Sequence, residues 1–463
     1  MKSRSPVDLA RRALLRRAAL LGAAGTAAPW ALNLSLMADA AAASAPSDYK
    51  ALVCVFLYGG NDHANTVVPV DATNHATYAR LRGALALQRD SLLPQSLVSS
   101  QGLPDGLSLA LHPSMAPLMP LWNAGRLAVQ LNVGPLIQPT TVAQYNARSV
   151  PLPPKLFSHN DQQSVWQSDL PEGALSGWGG RMGDLILSGN GGSLFSCISV
   201  TGNSVFLTGN NVVQYQVGSS GPVAITGIQR TLFGSAAAQS ALRTLITAPR
   251  THLFEEAYST ITRRSIEAES TLTAALASLP PLATAFAADN PLALQMQMVA
   301  RLIAARQRFG LKRQVFMVSL GGFDLHDLLM ENHPALLGRV AGAMASFQAA
   351  VEELGVASQV TTFTASDFGR TLSSNGDGSD HGWGAHHFVM GGAVAGRRFY
   401  GKAPALAVNG PDDVGQGRLL PSTSVDQYAA TLARWFGISA TDLPSIVPRI
   451  GAFDAADLGY FAA

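Results

Sequence analysis

Three short stretches place a carboxylate just beyond an apolar run: Gly59-Gly60-Asn61-Asp62-His63, Gly321-Gly322-Phe323-Asp324-Leu325-His326 and Ser366-Asp367-Phe368-Gly369-Arg370. A fourth, Asp380-His381-Gly382-Trp383-Gly384-Ala385-His386-His387, adds a cluster of histidines, and five of the ten histidines fall between 326 and 387. Carboxylates brought together repel one another and are costly to desolvate unless a cation neutralises them. Carboxylates with imidazoles and no thiolates suit Zn²⁺, Mn²⁺ or non-haem iron better than the all-oxygen ions Mg²⁺ and Ca²⁺. Asp324 and His326 form the strongest pair, because residues two apart share a face in extended chain. The same alternation turns His387 away from His386. His63 is read as lining the site, and His75, His112, His252 and His333 as structural or solvated. Each aspartate also has a plain alternative as a turn former or helix N-cap.

Strands must deliver these groups. Ala51–Tyr58 is a continuous apolar run, the pattern of a strand covered on both faces, and 314–320 and Gln359–Ala365 read as further strands. Leu127–Val133 reads as a further strand, 114–126 as a helix despite two prolines, 334–354 and Asp426–Phe436 as helices, and 236–311 as largely helical. A proline-rich loop fills 135–156. Residues 186–230 are short β-rich pieces between Gly, Ser and Asn turns, read as an inserted segment or cap. The alternation predicts an α/β fold, a doubly wound and mostly parallel sheet, as a single domain over 46–463 with an insertion at about 186–290. In such sheets ligands sit beyond the carboxyl ends of the strands, so Asp62, Asp324 and Asp367 would emerge at one edge.

The remaining features bound the function. Hydrophobic residues make up 47% and charged residues 13%, enough for a large core. Residues 1–45 carry paired arginines (Arg11-Arg12, Arg16-Arg17), an Ala/Leu run and small-residue cleavage sites, the order of a twin-arginine export signal. The run is short for a membrane span, so a periplasmic or secreted protein without a stable span after cleavage is expected. The signal contributes a net +4 against +2 for the whole chain, leaving −2 for the rest, and no nucleic-acid partner is indicated. Cys54 and Cys197 allow a disulfide but no thiolate zinc site. Gly396–Lys402 resembles a phosphate loop but is followed by Ala403 instead of Ser or Thr, and is read as a turn. Arg370 is suited either to balancing carboxylate charge or to gripping an anionic ester.

FLYGGNDHANTVVP (56–69), FSHNDQQSVWQSD (157–169), SGWGGRMGD (176–184), SLGGFDLHD (319–327) and the stretch 366–401 together resemble domain-of-unknown-function family 1501, a family of exported bacterial proteins. That family is in turn similar to the alkaline phosphatase/sulfatase superfamily, whose strand-end aspartates and histidines hold one or two metal ions. The resemblance implies Asp62, Asp324, His326 and Asp367 as metal ligands, with His381 and His386 as the later histidines. It departs at Phe368, where the relatives place His or Asn; His381 would fill that position from the following loop. It implies Ser158, beside His159, as the nucleophile, with Thr140 and Thr141 as rivals. The plain alternative for Ser158 is a helix N-cap. The expected function is an exported metal-dependent phosphate or sulfate ester hydrolase using a divalent ion, Zn or Mn, on a small anionic ester or surface polymer. The alternative is a non-catalytic envelope or surface-polymer binding or assembly protein keeping the same fold.

Overall fold

The computed structural model describes residues 48–461; the export signal read over 1–45 lies outside the described residues. In chain order the strands used below are β1 (Lys50–Leu57), β2 (Leu127–Gly134), β3 (Cys197–Ser199), β4 (Tyr215–Gly218), β5 (Arg313–Leu320), β6 (Val360–Ser366), β7 (Arg370–Ser374), β8 (Ser379–His381) and β9 (Ala385–Gly391). The helices are α1 (Ala72–Arg82), α2 (His159–Ser168), α3 (Trp178–Ile186), α4 (Ala236–Thr247), α5 (Leu253–Ala277), α6 (Pro291–Ala304), α7 (Leu329–Glu353) and α8 (Val425–Phe436).

The main sheet runs β2, β9, β6, β1, β5, β3, β4, with two-residue strands at its edges. β1 is central and parallel to both neighbours, and β9 alone of the seven runs against its neighbours β2 and β6. The predicted mostly parallel α/β sheet is therefore the observed one. Side-chain alternation on β1 explains the two-sided burial. Ala51, Val53, Val55 and Leu57 pack in one core with Val299 of α6 and Met344 and Phe347 of α7. Leu52, Cys54 and Phe56 face the other core with Met182 of α3 and Tyr428 and Leu432 of α8. Each strand residue is almost wholly buried, and removing a buried Leu or Ile side chain from either core should cost roughly 2–5 kcal/mol.

Between 186 and 290 the chain does not form a separate β cap. Cys197–Ser199 pairs with β5 and Tyr215–Gly218 extends the sheet from there, after which α4 and α5 take over. The helix predicted over 114–126 is a 3-10 turn, Pro113–Leu118, followed by a short helix, Met119–Asn123, because Pro117 and Pro120 each lack the N–H an α-helical ladder needs. Cys54 and Cys197 are free and buried, and no disulfide joins them. Among the described residues no helix is long and apolar enough to cross a membrane.

The register sets up the site. Leu57 of β1 pairs with Leu320 of β5 on one side and with Ser366 of β6 on the other. Three neighbouring parallel strands thus end level, and the segments carrying Asp62, Asp324 and Asp367 leave from one edge. Gly59 has φ +113° and lies so close to the next turn that a Cβ there would sit 2.4 Å from the Asp324 nitrogen. Glycine is required both for that backbone angle and for the close approach.

Candidate metal centre

Asp324, just past β5, is the hub. Its Oδ1 lies 3.0 Å from His326 Nε2 and 3.3 Å from His381 Nε2, and accepts from the Arg370 guanidinium; its Oδ2 lies 3.3 Å from His159 Nε2. One donor atom each from His159, Asp324 and His381 falls within 4.8 Å of the others, a candidate metal-binding triad. His326 Nε2 stands 2.9 Å from His381 Nε2 and extends the group to four.

The outer nitrogens decide what the inner ones can do. His159 Nδ1 is 2.6 Å from Asp367 Oδ2, His326 Nδ1 is 3.2 Å from Asp380 Oδ1, and His381 Nδ1 is 2.7 Å from the Phe157 carbonyl oxygen. A carbonyl or carboxylate oxygen can only accept, so each Nδ1 carries the hydrogen. Where an imidazole is neutral, its Nε2 then turns a lone pair inward, and the Arg370 Nη1 group faces that of His326 at 3.4 Å. Buried His159 Nε2 has no hydrogen-bond partner, and Asp367 Oδ1 is likewise buried and unpartnered. Lone pairs of His326 and His381 facing at 2.9 Å repel unless a proton or cation lies between them. Outer acceptors that fix the tautomer of a ligating histidine are the usual support of a metal site. Three carboxylates (Asp324, Asp367, Asp380) outnumber the guanidiniums of Arg370 and, at the rim, Arg418, so net negative charge remains and the residues fit a cation.

The electrostatics agree. Burial alone would raise the Asp324 carboxyl, but the Arg370 guanidinium and the facing imidazoles outweigh it and hold it below its ordinary value. The hydrogen bond to Asp367 raises His159 above the ordinary imidazole value, while burial lowers His381. A metal would have to displace any proton held at His159 Nε2.

Local structure explains the placement. α2 begins at His159, so the helix start fixes that ring, and Gln163, one turn on, donates to Asp367 Oδ2 at 2.8 Å. The chain enters α2 through Phe157, held at φ +72°, the residue whose carbonyl anchors His381. A bulky residue kept in the left-handed region costs of order 1–3 kcal/mol and clusters at functional sites. His381 ends β8, and the β7–β8 hairpin swings it over Asp324. Phe368 packs against both rings, 4.9 Å from His159 and 4.6 Å from His381, while the two imidazoles meet each other edge-on at 4.3 Å.

The remaining predicted residues lie elsewhere. Asp62 is buried and its oxygens are taken by Arg82 Nη2 at 2.5 Å, Ser379 Oγ at 2.9 Å and the Asn65 N–H at 3.0 Å. Burial would raise its carboxyl, but Arg82 holds it far below the ordinary range. His386 accepts from the Asn132 N–H through Nδ1 and meets His63 edge-on at 5.0 Å, away from Asp324. Neither is brought into the group around Asp324. Ser158 is the N-cap residue of α2, and its Oγ donates to Asp161 at 2.8 Å; no hydrogen bond ties it to the histidines. Thr141 caps a helix and Thr140 bonds the Gln138 carbonyl. Arg370 is 1% exposed and every guanidinium nitrogen is engaged, by Gly59, Gly60, Phe323 and Ser379 carbonyls and by Asp324. It balances charge, and with its second Nη1–H facing His326 Nε2 at 3.4 Å it has no N–H left for an ester. Sequence reasoning missed Asp380 and the Phe157 carbonyl as anchors, and Arg82 as the partner that occupies Asp62. The Asp380-His381 dipeptide was visible, but not that Asp380 reaches across to His326.

The family described as Protein of unknown function (DUF1501) matches residues 49–447. The chain belongs to the DUF1501 family. No curated protein matches this DUF1501 chain. Among solved structures it is similar to the lipoteichoic acid synthase LtaP from Listeria monocytogenes, at 8% identity and TM-score 0.34, covering 86% of this chain and 75% of that one. It is similar to the PsFucS1 sulfatase from Pseudoalteromonas sp., at 8% identity and TM-score 0.37, covering 89% and 72%. A third is Ps i-CgsB in complex with k-i-k-neocarrahexaose, at 11% identity and TM-score 0.32, covering 87% and 77%.

Proposed function

We propose that this DUF1501 protein is an exported, metal-dependent hydrolase of phosphate or sulfate esters. One observation carries the reading: three imidazoles, each anchored at Nδ1 by an acceptor, aim their Nε2 atoms at the Asp324 carboxylate. His159, His381, His326 and Asp324 would hold the ion, with Asp367 Oδ1 as a further oxygen donor; this nitrogen-rich set suits Zn²⁺ or Mn²⁺. A bound ion there supplies Lewis-acid polarisation of an ester oxygen. The motif resemblance to the alkaline phosphatase/sulfatase superfamily gives the ester class.

The chain's own residues do the rest. Asp367 and Gln163 hold His159 in orientation, and Phe157 does the same for His381. Ser158 Oγ, whose proton is directed to the buried Asp161, precedes His159 at the helix start and is the nucleophile of this reading. Asp161 accepts its proton as the oxygen attacks, and the leaving group takes its proton from solvent on the exposed His326 side of the centre, where that imidazole is 42% exposed.

Full-length protein, loaded with Zn²⁺ or Mn²⁺, should turn over an aryl phosphate or aryl sulfate. Ser158→Ala should reduce kcat by at least ~100-fold with metal content unchanged. Turnover that survives Ser158→Ala excludes Ser158 as nucleophile, and stoichiometric metal without turnover on either ester contradicts the hydrolase reading. The absence of any bond between Ser158 Oγ and the histidines favours a second reading, an envelope protein that binds an anionic polymer at the same centre without cleaving it.

A further inference from the structure

The proposed ester class requires a cation that meets the substrate's non-bridging oxygens, and Arg370 has no donor left to do so. The Arg418 guanidinium does. Its Nε donates to the His381 carbonyl oxygen at 2.9 Å, and its carbon lies 4.8 Å above the centre of the Phe157 ring. Those two residues are the ones joined by the bond that aims His381 at Asp324. Among the described residues neither Nη1 nor Nη2 of Arg418 has a hydrogen-bond acceptor, and no carboxylate lies within ion-pair distance. The residue is half-buried at the rim of the centre. Lys155, the other cation nearby, lies 3.5 Å from Asp161 and 3.9 Å from Glu172.

Arg418 is also held still. Asp413, buried, accepts from the N–H groups of Asn409, Gly415 and Gly417 at 2.7, 2.7 and 2.9 Å and ties the loop into a compact turn. Gly417, at φ +76°, presses on Leu372, where a Cβ would meet that side chain at 2.7 Å. A guanidinium stacked on an aromatic face, fixed through Nε, with both outer nitrogens free, is a preorganised fork for two oxygens of a tetrahedral anion.

We propose that Arg418 is the anion clamp of this centre, receiving two oxygens of a phosphate or sulfate group through Nη1 and Nη2 while the group's remaining oxygen faces the histidines. This rests on the hydrolase reading for its ligand class. It goes beyond that reading in assigning to Arg418 the recognition that was one of two roles open to Arg370 from sequence, and in placing the substrate on the Phe157–His381 side of Asp324.

The test is calorimetric binding of inorganic phosphate and of sulfate to full-length, metal-loaded protein. Arg418→Ala should weaken both by on the order of 10- to 100-fold, the loss of charge-assisted hydrogen bonds. Arg418→Lys should recover part of the affinity, restoring the charge but not the fork. Because Arg418 also braces His381, metal content of each variant is measured alongside. Independently of any variant, phenylglyoxal should modify Arg418 in the native protein, mapped by peptide mass spectrometry, and millimolar phosphate should protect it. Unchanged anion affinity in Arg418→Ala, or modification that phosphate does not slow, overturns the clamp; if the wild type still hydrolyses an aryl ester, the hydrolase reading survives. Metal-loaded wild type that binds neither anion and turns over neither ester removes both.

Discussion

Asp62 and Asp324 invite comparison. Both follow a Gly-Gly pair at the end of neighbouring parallel strands, both precede a histidine, and both sit at the same sheet edge. Their surroundings differ. Asp62 is buried, bonded to Arg82, Ser379 and a backbone N–H, and its neighbour His63 is neutral, pushed down to about 4 by burial. Asp324 is 45% exposed and faces three imidazole Nε2 atoms. Each carboxylate has a guanidinium, Arg82 from α1 for Asp62 and Arg370 for Asp324, but only Asp324 also faces three imidazole nitrogens. A shared motif therefore marks a shared position in the fold, while the partner arriving from elsewhere in the chain sets the chemistry.

Paired substitutions break or sharpen this contrast. The largest effect is expected from Asp324→Asn, which should abolish stoichiometric metal by elemental analysis and cost less unfolding free energy than Asp62→Asn, because Asp324 is 45% exposed and Arg370 keeps its carbonyl acceptors. Asp62→Asn should do the reverse, retaining metal but losing roughly 3–5 kcal/mol in urea denaturation, because Arg82 is left as an uncompensated buried charge. Loss of metal in Asp62→Asn with stability intact would erase the distinction. A smaller effect is expected from Asp380→Asn, which removes only the anchor of His326 and should weaken metal affinity ~10- to 100-fold, measured by competition with a chelating dye. Unaltered affinity would remove His326 from the centre.

The smallest effect concerns pH. His63 and His387 are pushed down to about 4 and about 3, both by burial. A buried neutral imidazole binds a proton less readily than in the unfolded chain. Its contribution is thus fully present above the unfolded value of about 6.5 and is lost as pH falls toward its folded value. Stability should therefore decline between pH 6.5 and 4, and His387→Gln should flatten that decline by up to ~1.4 kcal/mol per pH unit. An unchanged slope in chemical denaturation would show that His387 is not neutral in the fold.

The sheet was legible because β1 is an unbroken apolar run after Lys50 and β5 holds another at Val315–Val318, a local signal that long-range packing reinforces. The edge at which the aspartates emerge followed from parallel strand order. Partner identity was not legible, because it depends on contacts far apart in sequence: Arg82 reaches Asp62 across 20 residues, and Asp380 reaches His326 across 54. Of the two roles read for Arg370, its contacts fit charge balance with Asp324 and leave no donor for an ester; sequence could not choose between them for a related reason. Its place beside Asp367 in sequence says nothing about the four carbonyls that use its donors in the fold. Ser158 as N-cap was foreseen in type, but its hydroxyl bonds Asp161 in place of the backbone N–H a cap would satisfy.

Anomalous diffraction at the absorption edge of whichever metal the natively exported protein carries would test the central claim most directly. The predicted result is a peak within ~2.0–2.2 Å of Nε2 of His159 and His381 and of an Asp324 oxygen. A metal-bearing protein whose peak lies elsewhere, at Asp62 or at His63 and His386 for instance, would contradict it.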